Sequence, residues 1–456
     1  MKKYILAFIS LLFLTLFSIS LYFKLTYKPF DTDNVLNNIK ELSSSTYEGR
    51  LAGSEGNIKT SEYIINEFKN NSINSYNDDY RELFKVKAPN LINGSPSLIL
   101  KSPGGNVYKE FKYGVDFKED LLNFKENTFS FGEKFRDSKL YIFTQSIVIQ
   151  NSQGSFMLYV SDNSSDFRSS FLYNSPCSMY ISITKEVYDE ILDKLGEDYT
   201  LDCFIPMEVV DTNIPNIVGK IKGRDSVLPP LILSAHFDHL GIDLGGNLYS
   251  GALDNASGIS FLLELSKNLT SLPKPDRDII ILALNGEEFG LLGSQDFATN
   301  NLASIKDSKL INFDMVASTK DTSLSIISGK YVRNSELIED LSNILENDKI
   351  YYVKKFEDVS DHAPFNSLGI DGVTLGFEDY SNIHTPNDTY EYTSPYGINL
   401  TYDLVYKYIL SNYYSNFTFI IYDSRLFYGS LGGFLIFSFL SLYLIYKDLK
   451  TKNLNK

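Results

Sequence analysis

All four histidines of this 456-residue sequence fall between Leu231 and Asp388, and acidic residues recur beside them. His236 and His239 stand in Leu231–Gly241, His362 in Ser360–Phe365, and His384 in Asn382–Thr389. Between these lie Gly251–Gly258 with Asp254, Asn285–Ser294 with Glu287 and Glu288, and Ile311–Met315 with Asp314. Imidazole and carboxylate together suit zinc or a similar divalent ion, whereas magnesium prefers oxygen alone. His236 and His384 with Asp254, Asp314 and one of Glu287 and Glu288 make two histidines and three carboxylates, too many donors for one tetrahedral catalytic ion and suited to two ions sharing a bridging carboxylate. In a turn the adjacent Glu287 and Glu288 diverge, so one can bind metal while the other handles a proton. Asp238, two residues after His236, is placed to orient the imidazole. Read alone, Asp254 is equally a helix cap, and the glutamate pair equally a solvated acidic patch.

These residues need a scaffold. From Asn216 onward strand and helix patterns alternate, with strands at 231–235, 278–284, 310–313, 323–328 and 372–377. Helices are predicted at 257–269, 291–299, 335–347 and 402–414. Such alternation predicts an α/β domain around a mostly parallel central sheet flanked by helices, with ligands bound outside the carboxyl ends of the strands. The candidate residues sit in or next to loops at those ends. Upstream, helices are predicted at 33–40 and 57–70, separated by the glycine-punctuated Tyr47–Gly56. That segment lacks the Gly-Lys-Ser/Thr ending of a phosphate-binding loop. From 85 to 206 the texture changes to short alternating runs, such as 140–144, 157–160 and 178–183. They read as a β-rich inserted domain, leaving 31–84 and 207–420 as the α/β domain.

Composition is that of a globular chain, 43% hydrophobic and 22% charged, and the formal charge of −15 argues against a nucleic-acid partner. Residues 4–23 carry no charge and span about 30 Å as a helix, enough to cross a bilayer. Residues 426–446 form a second such run. Lys2 and Lys3 precede the first, and Lys447, Lys450, Lys452 and Lys456 follow the second. The positive-inside rule therefore predicts both tails in the cytoplasm and the intervening chain outside a cell membrane, and the poor cleavage site in Ser18–Phe23 favours an uncleaved anchor over a cleaved signal peptide. Gly429 and Gly433 have the small-xxx-small spacing of paired helices. Cys177 and Cys203 are the two cysteines of the chain. A bridge and two separate buried side chains both remain open.

The motifs AlaHisPheAspHisLeuGly, GlyAlaLeuAspAsnAlaSerGly, GlyGluGluPheGlyLeuLeuGlySer, AsnPheAspMet, SerAspHisAlaProPhe and HisThrProAsnAspThr resemble, in order, those of the zinc-dependent aminopeptidase family with two co-catalytic metals. Relatives of that family include glutamate carboxypeptidases and glutaminyl cyclases. TyrGluGlyArgLeuAlaGlySerGluGly also resembles the family's amino-terminal segment, and the insert sits where many members carry a protease-associated domain. The resemblance implies two Zn2+ per chain, or other divalent ions, and peptide substrates with a free amino terminus. By it, His236 and Asp314 hold one ion, Glu288 and His384 the other, Asp254 bridges, and Glu287 is the general base. It gives His239, Asp361 and His362 supporting or lining roles. Many members have Tyr immediately before the last ligand, where this chain has Ile383, which leaves Tyr380 as the nearby candidate oxyanion donor. Two alternatives accompany this reading, a glutaminyl-cyclase-like acyltransferase and a catalytically silent surface receptor on the same fold.

Overall fold

In the computed structural model, residues 2–132, 138–161, 167–332, 334–414 and 424–454 are described. Four apolar runs form the parallel centre of a nine-stranded sheet, in the spatial order Ile279–Leu284, Leu231–His236, Lys309–Phe313 and Asp371–Phe377. The first two are buried at every position, as expected of strands covered on both faces. Leu231, Leu233 and Ala235 enter one core layer while Ile232 enters the other, the period-two alternation of a strand. One layer holds the helices Thr32–Leu42, Glu55–Asn70, Gly258–Thr270, Glu336–Asn347 and Pro395–Tyr413. The other holds Leu292–Asn300 and His362–Ser367.

The sheet as a whole is mixed rather than mostly parallel, which corrects the sequence expectation. Met207–Ile221 runs antiparallel to Ile279–Leu284, and Leu324–Ser328 antiparallel to Asp371–Phe377. The physical reason is connection length. Short loops lead from Ile221 to Leu231 and from Phe313 to Leu324, and neither holds the long crossover that a parallel return requires. The strand Tyr352–Phe356 at the sheet edge also escapes the hydrophobic pattern, because the adjacent Lys354 and Lys355 break its apolar run on a strand with no buried position. Pro395–Tyr413 begins seven residues before its predicted start. Ser394 Oγ accepts from Tyr396 N and proline occupies the first turn, a start signal stronger than the apolar periodicity.

The chain reaches the inserted region through a long antiparallel ribbon, Arg81–Leu91 against Met207–Ile221, paired from Arg81 with Ile217 out to Leu91 with Met207. Beyond it lie a five-stranded sheet, a four-stranded sheet and the helix Lys185–Leu195. A buried ion pair ties this region to the loop after His239, Lys118 Nζ lying 3.1 Å from Asp243 Oδ2, and a second lies within the region, Arg168 Nη2 3.5 Å from Glu119 Oε1. Cys177 and Cys203 are both buried and unbridged.

The helices Lys2–Thr26 and Ser424–Leu454 are long and apolar enough to cross a membrane, and they pack on each other. Lys3 Nζ meets Asp448 Oδ2 at 2.6 Å, Ser10 and Ser438 hydroxyls meet at 2.6 Å, and Phe13 stacks on Phe437 with ring centroids 5.5 Å apart. Of the two spaced glycines, Gly433 abuts Phe13 while Gly429 touches nothing. The Lys3–Asp448 pair brings the two tails to the same end. Tyr4, Tyr443 and Tyr446 are exposed there, and Tyr22 and Tyr428 at the opposite end, the placement of interfacial aromatic belts. Of the basic tail, Lys456 and the side chain of Lys452 lie outside the described residues.

The apolar pair leaves the domain from the edge where the parallel strands begin. Just after the first helix, Lys28 O accepts from Asn268 Nδ2 and Ser271 Oγ at the carboxyl end of Gly258–Thr270. Asp276 N, three residues before Ile279, donates to Tyr413 O. The candidate residues emerge at the opposite edge, and the insert lies beyond them along the ribbon.

Candidate active site

His236 is the last residue of its strand. Its Nε2 lies 3.5 Å from Asp254 Oδ1 and 3.5 Å from Asp314 Oδ1. Asp254 turns its other oxygen, Oδ2, toward His384 Nε2 at 3.3 Å, and Glu288 Oε1 lies 3.2 Å from the same nitrogen. Two donors about 2.0–2.2 Å from one tetrahedral ion stand roughly 3.3–3.6 Å apart, and these separations match. The five residues drawn from separate motifs thus form two donor groups, with Asp254 facing both.

His239, expected from the sequence to line the site, is fully buried. Its Nδ1 is 3.2 Å from Glu288 Oε1 and 3.8 Å from Asp254 Oδ2. Among the described residues, neither His239 ring nitrogen nor Glu288 Oε1 has a hydrogen-bond partner. Buried polar atoms without partners carry a desolvation cost that a cation between them removes. The donor set therefore fits divalent metal ions: closely spaced, buried, rich in carboxylate, and unsatisfied by protein alone.

Three long-range devices hold these loops. Asp238 accepts from the backbone N–H of Glu287 at 3.2 Å and of Glu288 at 3.1 Å, while its Oδ1 lies 3.7 Å from His236 Nδ1. It therefore joins the His236 loop to the glutamate loop as well as facing the imidazole. Asp388 accepts from Leu253 N at 2.8 Å and Asp254 N at 2.9 Å, fixing the segment in which a cis peptide bond follows Asp254. Arg50, from the upstream TyrGluGlyArg segment, is wholly buried and donates to Phe237 O, Leu42 O, Ser250 O and Gly251 O at 2.7–2.9 Å. It stitches the His236 and Asp254 loops to the end of Thr32–Leu42. Ser360 Oγ donates to Asp314 Oδ2 at 2.7 Å.

A fourth device comes from the insert. Phe167 stacks on the His384 ring with centroids 5.8 Å apart. Arg168 N donates to His384 O at 3.0 Å, its Nη1 donates to Leu240 O at 2.7 Å, and Ser170 Oγ donates to Glu288 Oε2. Phe171 packs edge-on against Phe289. Sequence reasoning missed this strap because residues 167–171 carry no histidine, no acid and no periodicity. An arginine and two serines bracketed by Phe167 and Phe171 were the available signal.

A cavity of about 360 Å³ opens over the donors. Ile327, Val359, Phe377 and Ile383 supply apolar walls, with Lys355 and Tyr380 among the polar lining. Tyr380 is half-exposed, and Lys355 Nζ lies 5.5 Å from its ring centroid. Glu287 lines the same cavity, and burial together with the Glu288, Asp361 and Asp314 charges pushes its carboxyl well above the usual range. Burial alone would also raise Glu288, but the His384 and His239 imidazoles hold it well below. The neighbouring glutamates are thus driven in opposite directions, one toward carrying a proton and one toward a permanent anion. Asp361 is buried beneath, its carboxyl pushed up to about 7 by desolvation. His362 spends both ring nitrogens on Thr374 Oγ1 at 2.7 Å and Glu357 O at 2.8 Å, which leaves it no free donor atom for a metal.

Residues 216–409 match the sequence model of Peptidase family M28. Over 208 residues the chain is 30% identical to aminopeptidase YwaD of Bacillus subtilis, covering 42% of this chain and 43% of that protein. Over 210 residues it is 27% identical to a vacuolar membrane protease of Kluyveromyces lactis, covering 43% of this chain and 22% of that one. These matches span less than half the length of either relative. The fold is similar to the crystal structure of a zinc aminopeptidase from Bacillus subtilis, with a TM-score of 0.60 at 19% identity over 85% of this chain and 97% of the other.

Proposed function

We propose, with the M28 match over residues 216–409 as premise, that the chain is a membrane-anchored zinc aminopeptidase. It holds two ions and acts on peptides with a free amino terminus outside the cytoplasm. The observation that carries this reading is the pair of donor groups joined through Asp254. His236, Asp314 and one oxygen of Asp254 would hold one ion, and His384, Glu288 and the other oxygen the second. Ions bound there supply Lewis acidity toward a carbonyl and lower the pKa of water.

The remaining work belongs to side chains. Glu287, beside the cavity with a carboxyl raised by burial, takes the proton of the attacking water and returns it to the departing amine. The acidic lining suits the α-ammonium group of a substrate, and Ile327, Phe377 and Ile383 present an apolar surface to its side chain. Tyr380 lines the same cavity as Ile383, and its hydroxyl is the oxyanion donor this reading assigns. The two paired terminal helices support anchoring, and Lys3 beside Asp448 supports tails on one side of the bilayer.

The test is hydrolysis of free and amino-blocked peptides by the full chain in detergent, with and without chelator, followed by mass spectrometry. Release of single amino-terminal residues from free peptides alone, abolished by chelation, is expected. A product lighter by water or ammonia with no residue released would instead establish a cyclase. Glu287→Gln should keep both metals and lose about 10² to 10⁴-fold in rate, whereas Glu288→Gln should lose metal first. The reverse pattern would overturn the assignment.

A further inference from the structure

The edge of the sheet away from the active site carries a surface that catalysis does not use. The loop from Ile221 to Leu231 stands where the parallel strands begin, and Val227 at its tip is 91% exposed, the highest value among the exposed large hydrophobic residues, with Leu228 exposed beside it. A bare apolar residue is ordinary on a surface, and only its neighbourhood can point to a partner.

The neighbourhood says which. Arg224 N donates to Pro275 O and Asp225 N to Asp276 O, so this loop lies against the 271–278 connection. That connection touches both roots of the apolar helix pair. Ser271 Oγ reaches Lys28 O, two residues after Lys2–Thr26 ends, and Asp276 N reaches Tyr413 O, eleven residues before Ser424. Lys222, Arg224 and Lys274 stand exposed around the tip. Three acids meet the loop: Asp276 Oδ1 lies 3.4 Å from Arg224 Nη1, Asp225 Oδ1 accepts from Val227 N at 2.9 Å, and the buried Asp278 accepts from Gly223 N at 2.7 Å and Ser226 Oγ at 3.0 Å. In a chain of formal charge −15, an apolar tip inside a basic collar, on the rim from which both helices leave, has the chemistry of an interfacial membrane contact.

We propose that this rim is a membrane-docking surface, with Val227 and Leu228 entering the interfacial region of the bilayer and Lys222, Arg224 and Lys274 contacting anionic phospholipid headgroups. The proposal rests on the membrane-anchored reading above and adds a second attachment. The domain then stands pinned at a fixed tilt instead of swinging on its helices.

The experiment uses the full chain in nanodiscs of phosphatidylcholine, alone or mixed with phosphatidylglycerol. An environment-sensitive fluorophore is placed in turn at Val227→Cys, at Leu435→Cys within the second apolar helix, and at Gln153→Cys on an exposed turn of the insert. Headgroup nitroxide lipid should quench the label at 227 at least about twofold more than the label at 153, with a blue-shifted emission. The effect should be stronger with phosphatidylglycerol and reduced by Lys222→Gln, Arg224→Gln and Lys274→Gln together. A label at 227 as water-exposed as that at 153, while the label at 435 reads hydrocarbon, overturns the docking surface and leaves anchoring intact. A label at 435 that also reads water overturns both. Quenching at 227 indifferent to phosphatidylglycerol overturns the headgroup contact.

Discussion

Replacing Arg50 by lysine tests whether one buried guanidinium holds the two ligand-bearing loops. Arg50 donates four hydrogen bonds at 2.7–2.9 Å, to Phe237 O on the His236 side, to Ser250 O and Gly251 O on the Asp254 side, and to Leu42 O. Burial lowers its pKa to about 10 against the pull of Asp388 and Asp254, so it stays charged at neutral pH. Hydrogen bonds from a charged donor contribute about 1.5–3 kcal/mol each. An ammonium offers three donors from a single point, whereas these four carbonyls lie around a planar fork. Arg50→Lys therefore leaves one or two carbonyls unpaired, at a cost of about 2–5 kcal/mol. At roughly 2 °C per kcal/mol for a large domain, the midpoint of thermal unfolding should fall by about 4–10 °C. Because the loops on both sides relax, zinc affinity should fall at least about tenfold as well. The measurements are calorimetry of the detergent-solubilised full chain and competitive zinc titration with a chromophoric chelator. A variant that melts within about 1 °C of the parent and binds zinc equally would refute the reasoning.

Three further outcomes follow from the same geometry. Ser170→Ala should leave the fold intact but weaken zinc binding about tenfold in chelator competition, because Glu288 loses its hydroxyl partner from the insert. His239→Gln should lower metal content after gel filtration, whereas His362→Gln should not, since His362 already spends both nitrogens on protein partners; equal metal content in the two would refute the distinction. Asp361→Asn should remove a pH dependence from the metal-free protein. The folded-state pKa near 7 exceeds the unfolded value near 4, so the folded form binds more protons between them and the Asp361 contribution falls as pH rises from about 4 to 7. At pH 8 the asparagine variant should be the more stable by up to about 4 kcal/mol, and parallel unfolding curves across that window would refute this.

What the sequence made legible divides along physical lines. Leu231–His236 and Ile279–Leu284 were readable because strands buried on both faces are unbroken apolar runs, and His236 and Asp314 because donors at strand ends interrupt such runs. The antiparallel strands were not, since direction depends on where a loop returns and Met207–Ile221 reads the same either way. Asp238 was placed near His236, but its bonds to the Glu287 and Glu288 amides follow only from the neighbouring loop being there. Arg50, Asp388 and the 167–171 strap act across separations of 100 residues or more in their key contacts, where local pattern carries no information. The two cysteines, left open by their spacing, are buried and unbridged, with Cys203 Sγ facing Met179 Sδ at 4.0 Å.

The placement of the helix pair and the donor cluster at opposite edges of one sheet amounts to a ruler. Leu231–His236 alone spans about 20 Å, so under the proposed function a reacting amino terminus would have to be offered about that far from the root of the helices. A freely diffusing peptide meets no such requirement. A chain that is itself rooted in the same bilayer does: its amino terminus reaches the cavity only if at least roughly six extended residues stand between it and the lipid, at about 3.3 Å each. Shorter stubs would escape trimming however well their side chains fit, making stalk length a selection rule set by the scaffold and independent of the pocket.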